Sequence, residues 1–185
     1  PGFELLGPAL TGLAFTNAVP SSRYLTNQIP LNGSCVALGD VDGDGRPDLF
    51  LAAYSGGSVL FRNLGQLRFE PVTQTAFGAG GLSSFEVTGV VLADLDGDGD
   101  LDLVFNTLGQ GTRSYHNDGK GRFTPGAVLN VKRAGSSLSL ADADGDGDLD
   151  LYVANYRTVT VRDDPGAKYS IREENGRQRI VAYNG

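Results

Sequence analysis

Apolar and polar positions alternate along this chain in short runs, and the runs recur in the same order three times. A small apolar segment comes first (34–38, 88–93, 137–141), then an acidic glycine-rich loop, then a nearly continuous apolar segment (49–53, 101–106, 149–154). A third run follows a glycine or polar turn (58–63, 112–117, 158–162), and in the first two copies a fourth run closes the unit (67–72, 122–125) behind Gly65 and Gly121. Runs of four to six residues bounded by turn formers predict β-strands, and no stretch keeps a helical period long enough to compete. The repeat is about 50 residues long: the first aspartates of successive loops, Asp40, Asp94 and Asp142, lie 54 and 48 residues apart. Four short strands per 50 residues is the pattern of a propeller blade, and the second strand, apolar on both faces, suits a position between neighbouring blades.

The pattern divides the chain into lead-in strands over 1–33, a first blade over 34–87 with its loop at 40–48, a second over 88–136 with its loop at 94–102, and a third over 137–185 with its loop at 142–150. In the lead-in, Phe3, Leu5, Leu6, Leu13 and Phe15 are the strand candidates, and Asn32-Gly33-Ser34 matches a glycosylation acceptor. The third copy departs from the others. Two β-rich runs flank Asn175-Gly176, a type I′ turn signal, so a hairpin inserted at 168–183 is expected there. The expected fold class is all-β: three four-stranded blades of an incomplete propeller, plus this hairpin. Three blades do not close a ring, so the missing blades of a longer chain, or neighbouring copies in an oligomer or filament, are the expected partners. A chain that begins at Pro1 and contains no methionine reads as part of a longer precursor.

Composition sharpens the picture at the loops. The formal net charge is −7, and 14 of the 22 acidic residues lie in the three loops. Each loop follows Asp-x-Asp-Gly-Asp-Gly-x-x-Asp. The first contains Asp40, Asp42, Asp44, Arg46 and Asp48; the second Asp94, Asp96, Asp98, Asp100 and Asp102; the third Asp142, Asp144, Asp146, Asp148 and Asp150. Carboxylates at this density repel one another unless a cation sits among them. Hard oxygen donors on a glycine-turned backbone suit Ca²⁺, which accepts six to eight oxygens in loose geometry, better than Mg²⁺ or Zn²⁺. About three Ca²⁺ are expected, one per loop, and they would bring the net charge to about −1. The first loop carries Arg46 where the others carry a further aspartate, so it is expected to bind most weakly. An EF-hand is excluded, since its position-12 glutamate is replaced by Leu51, Phe105 and Val153.

Other chemistry is sparse. The one cysteine, Cys35, sits in an apolar run and reads as a small buried thiol; it excludes an intrachain disulfide framework. The one histidine, His116, reads as solvated surface, and neither a nucleophile elbow nor a His/Cys metal set is present, so no catalytic residue is assigned. No basic stripe suggests nucleic acid, and no apolar run reaches membrane-spanning length. Tyr54, Tyr115, Tyr152 and Tyr156 lie near strand ends, where packing between blades accounts for them, and where exposed rings could instead stack on sugars.

With its strands, the loop pattern over 34–162 resembles FG-GAP/VCBS repeats, the calcium-loop blades of integrin-α-like propellers. The phrases Gly39-Asp-Val-Asp42, Asp150-Leu-Tyr-Val-Ala-Asn155 and Tyr115-His-Asn-Asp-Gly-Lys-Gly-Arg-Phe123 resemble more narrowly the repeats accompanying ASPIC/UnbV-type domains of secreted bacterial proteins. The resemblance implies ligation by the side chains at loop positions 1, 3, 5 and 9, and by the backbone carbonyls of Arg46, Asp100 and Asp148. It also implies a secreted or cell-surface, non-enzymatic module for adhesion, scaffolding or assembly. A carbohydrate-binding propeller module, a non-catalytic part of a larger secreted enzyme and a filament subunit are the alternatives, with an extracellular protein or glycan as further possible partner.

Overall fold

The computed structural model describes residues 2–21, 34–156 and 168–184. Two four-stranded antiparallel meanders form its body. The first runs β1 (Val36–Gly39), β2 (Asp48–Leu51), β3 (Val59–Gly65), β4 (Arg68–Pro71), and the second β5 (Val87–Ala93), β6 (Asp102–Thr107), β7 (Thr112–Asn117), β8 (Phe123–Leu129). In both, sequence neighbours are sheet neighbours. The registers correspond: Gly39 faces Asp48 and Leu49 faces Phe61 in the first sheet, as Ala93 faces Asp102 and Leu103 faces Tyr115 in the second. These are the propeller-like blades expected from the repeat. The third copy contributes β9 (Ala134–Ala141) paired with β10 (Asp150–Tyr156). Its expected third strand, 158–162, lies outside the described residues, as does Asn32.

The hairpin forms where the sequence placed it, from β11 (Lys168–Glu174) and β12 (Arg177–Asn184). Asn175 and Gly176 have φ of 53° and 71°, the two left-handed residues that a type I′ turn requires. The lead-in differs from expectation. No strand forms over 2–21; Pro8–Thr11 makes one helical turn, α1, closed by left-handed Gly12. Pro8 is preset for the first helical position and glycine for the cap, so local turn chemistry outweighs the scattered apolar residues there. A second short helix, α2 (Thr73–Phe77), begins the link from the first blade to the second.

The innermost strands stand side by side, β1 against β5 and β5 against β9. Backbone groups stitch the units together: Val87 N–H donates to the Ala53 carbonyl at 3.0 Å, Leu108 N–H to Glu86 at 3.0 Å, and the Thr88 hydroxyl to Gly135. The core fills the space between the first two sheets, with Phe50 and Leu60 from one, Leu103, Phe105, Tyr115 and Phe123 from the other, and Ala76 and Leu82 from the link. Every residue of β6 is buried, which accounts for its unbroken apolar run. β10 has the same kind of sequence, yet Leu149 and Tyr152 are exposed, the latter by 74%. Among the described residues, β10 is hydrogen-bonded to β9 alone.

Candidate functional site

Each acidic loop joins the first strand of its sheet to the second, and each is folded by its own carboxylates. The position-1 aspartate accepts from the position-6 glycine N–H: Gly45 to Asp40 at 2.7 Å, Gly99 to Asp94 at 3.0 Å, Gly147 to Asp142 at 3.1 Å. The position-7 N–H donates to the position-5 carboxylate, Arg46 to Asp44, Asp100 to Asp98 and Asp148 to Asp146, each at 2.9 Å. Such side-chain-to-backbone bonds turn the chain tightly, which brings the position-6 glycines to φ of 83°, 93° and 98°. A β-carbon would be strained there, so glycine is required.

The ninth aspartate clasps the loop to the sheet. Asp48 accepts from Val41 N–H at 3.1 Å and from Asn63 N–H at 2.8 Å; Asp102 accepts from Leu95 at 3.0 Å and from Asn117 at 2.8 Å. Asp150 accepts equivalently from Ala143 at 3.0 Å. Asn63 and Asn117 complete the clasp by donating to the carbonyls of Pro47 and Leu101, and Asn117 also reaches the Val41 carbonyl at 2.8 Å, in the neighbouring blade's loop. The first loop is thereby fixed to two sheets.

Within each loop, oxygens of three aspartates lie within 4.8 Å of one another. The trios are Asp40, Asp42 and Asp48; Asp94, Asp96 and Asp98; and Asp142, Asp144 and Asp146. All are hard, anionic oxygen donors converging on one point, and that donor set fits Ca²⁺. Asp44 is turned away onto the Arg46 guanidinium, and Asp100 and Asp148 stand at position 7, where the backbone carbonyl is the expected ligand.

The electrostatics agree with a crowded anionic site. Burial raises the Asp48 carboxyl above its ordinary range; the Asn63 and Val41 amides pull it back, and the charges of Asp42 and Asp44 raise it again. Asp100 is likewise raised, by desolvation first and then by Asp98, Asp94, Asp102 and Asp118. An acid raised in the folded state binds its proton more readily there than in the unfolded chain. Its stabilising contribution is therefore complete below the unfolded value of about 3.9 and is lost as pH rises through the folded value. In metal-free protein, carboxyl titration followed by NMR is expected to show Asp48 protonated to higher pH than an ordinary aspartate. Denaturation followed as pH rises from about 4 should show its contribution to stability falling.

Two further residues belong to the site, and the sequence reading did not assign them to it. Arg62 and His116 each follow the ninth aspartate by 14 positions, so the repeat register itself carried the signal. Arg62 Nε lies 2.6 Å from Asp42 Oδ2. The His116 Nδ1 is buried, makes no hydrogen bond, and lies 3.4 Å from Asp96 Oδ2 and 3.7 Å from Asp102 Oδ2. His116 is thus half-exposed and turned onto the second loop, where a freely solvated side chain was expected.

The remaining candidates separate by burial. Cys35 is half-buried, and desolvation pushes its thiol up to about 11, against a smaller lowering by Ser34. Tyr54 and Tyr115 are buried, the latter stacked on Phe105 at 5.7 Å, so neither presents a sugar platform; Tyr152 and Tyr156 are exposed. No described helix is long and apolar enough to cross a membrane. Against known proteins, a family model for the FG-GAP-like repeat matches residues 40–105 and again 94–153. No curated protein sequence matches the chain.

Proposed function

The chain belongs to the FG-GAP-like repeat family, a family of generally non-catalytic, extracellular-type modules, and from that premise we propose that it is a secreted, non-enzymatic repeat module whose acidic loops hold structural Ca²⁺. The observation that carries the reading is the repeated loop geometry: three trios of aspartate oxygens, each within 4.8 Å, at the same crossing of each unit. The side chains at positions 1, 3, 5 and 9 would hold the ion, with the carbonyls of Arg46, Asp100 and Asp148. Bound calcium supplies the positive charge that lets these carboxylates converge. The chain's part is to aim them, through the glycine turns and the clasp on Asn63 and Asn117. The short phrases around Tyr115 and Tyr152 favour a place near the repeats of ASPIC/UnbV-type secreted proteins.

Exposed Val36 and Leu38 on β1, and Leu149 and Tyr152 beside and on β10, support a role in assembly, with further blades or neighbouring copies meeting these faces. Adhesion and scaffolding follow from such a surface. Calcium titrated into chelator-treated protein in a calorimeter is the direct test. The expected result is saturable binding of two to three ions per chain, with dissociation constants near 10⁻⁴–10⁻³ M, as in extracellular modules. Heats no larger than dilution would overturn the proposal.

A further inference from the structure

We infer that the first acidic loop carries its own cations: the guanidinium groups of Arg46 and Arg62 compensate the charge there that a free divalent ion compensates in the second loop. The inference rests on the calcium reading and divides the loops into one that keeps its fold without metal and others that depend on it.

The two arginines meet the loop at different carboxylates. Arg46, inside it, donates Nη2 to the Asp44 carboxylate and Nε to the Asn63 carbonyl of β3 at 2.9 Å, which ties loop to sheet. Arg62, on β3, places Nε 2.6 Å from Oδ2 of Asp42, whose side chain is only 9% exposed. A charge pair sheltered to that degree is screened far less than one in open water. Two of the loop's four carboxylates are therefore engaged by fixed positive groups, and Asp48 already accepts two backbone N–H donors. The neighbouring blade adds positive charge to the same cleft, a cavity of about 480 Å³ lined by Asp42, Asp48, Arg62, Glu70, Lys120 and Arg122.

The second loop has the opposite arrangement. Aspartate replaces Arg46 as Asp100, and the strand position of Arg62 holds His116, whose Nδ1 makes no hydrogen bond. Five carboxylates there face no arginine or lysine at the equivalent positions. A divalent ion entering the first loop meets guanidinium groups already seated on Asp42 and Asp44; one entering the second meets none.

Calorimetric calcium titration of the full chain, with variants made in both directions, tests this. The wild type is expected to show two tighter sites and a third at least about tenfold weaker. In Arg46→Gln/Arg62→Gln the weak site should tighten about tenfold and join the others. The reverse exchange, Asp100→Arg/His116→Arg, should remove one tight site, and it keeps the inference testable where the first variant folds poorly. Three equivalent wild-type sites, or a site count unmoved in both variants, would overturn the inference and leave the calcium reading standing. Binding absent from every form would remove both.

Discussion

Chelating calcium is expected to lower the melting temperature by roughly 10–20 °C. An ion that binds only the folded chain stabilises it by RT ln(1 + [L]/Kd). At about 10 mM calcium and a Kd near 10⁻⁴ M that is about 2.7 kcal/mol per site, or roughly 5 kcal/mol for two tight sites. At about 2–4 °C per kcal/mol for a chain of this size, the shift follows. Without the ion, five carboxylates repel across nine residues in the second and third loops, at the crossing where one strand hands over to the next. The glycine and clasp hydrogen bonds oppose that repulsion, so loosened blades rather than an unfolded chain are expected. Magnesium at the same concentration should restore less of the loss, since it demands a strict octahedron and gives up water reluctantly. A melting temperature indifferent to chelator would mean that the loops stand on their hydrogen bonds alone.

Phe105→Ala is expected to cost about 3–5 kcal/mol, the usual range for emptying a buried phenylalanine site. Phe105 is fully buried at the centre of β6, with Phe85 at 5.4 Å and Tyr115 at 5.7 Å between ring centres. Tyr115 in turn meets Phe77 edge-on at 5.5 Å, and Phe77 stacks on Phe123. Truncation removes one of the rings that join the link segment to the second sheet, and the backbone-tethered neighbours cannot collapse far enough to fill the space. Urea denaturation with and without calcium should show nearly the same loss in both, because distant independent effects add. A loss confined to metal-free protein would mean that loops and core form a single cooperative element.

The contrast between these two experiments matches the contrast in what could be read from the chain. Asp42, Asp96 and Asp144 stand out because a carboxylate recurs at every second residue between glycines, the same in each loop. The type I′ turn at Asn175-Gly176 is equally local, since two consecutive left-handed residues select asparagine and glycine. Arg62 and His116 were less visible. Each lies in a strand remote in sequence from its loop, and only the register of β2 with β3 and of β6 with β7 brings it there. In the lead-in, apolar spacing suggested strands, but Pro8 and Gly12 set one helical turn.

The sequence by itself determined the repeat, the order of strands, the loops and the chemistry of their donors, because each of these depends on neighbours a few residues apart. Only the tertiary structure decided which tyrosines are buried, that Asn117 ties one unit's strand to another's loop, and that the first loop faces two guanidinium groups while the second faces an imidazole. Those outcomes come from packing between sheets. There distances are set by how side chains from separate units fill a shared space, and no local pattern records which partner will be met.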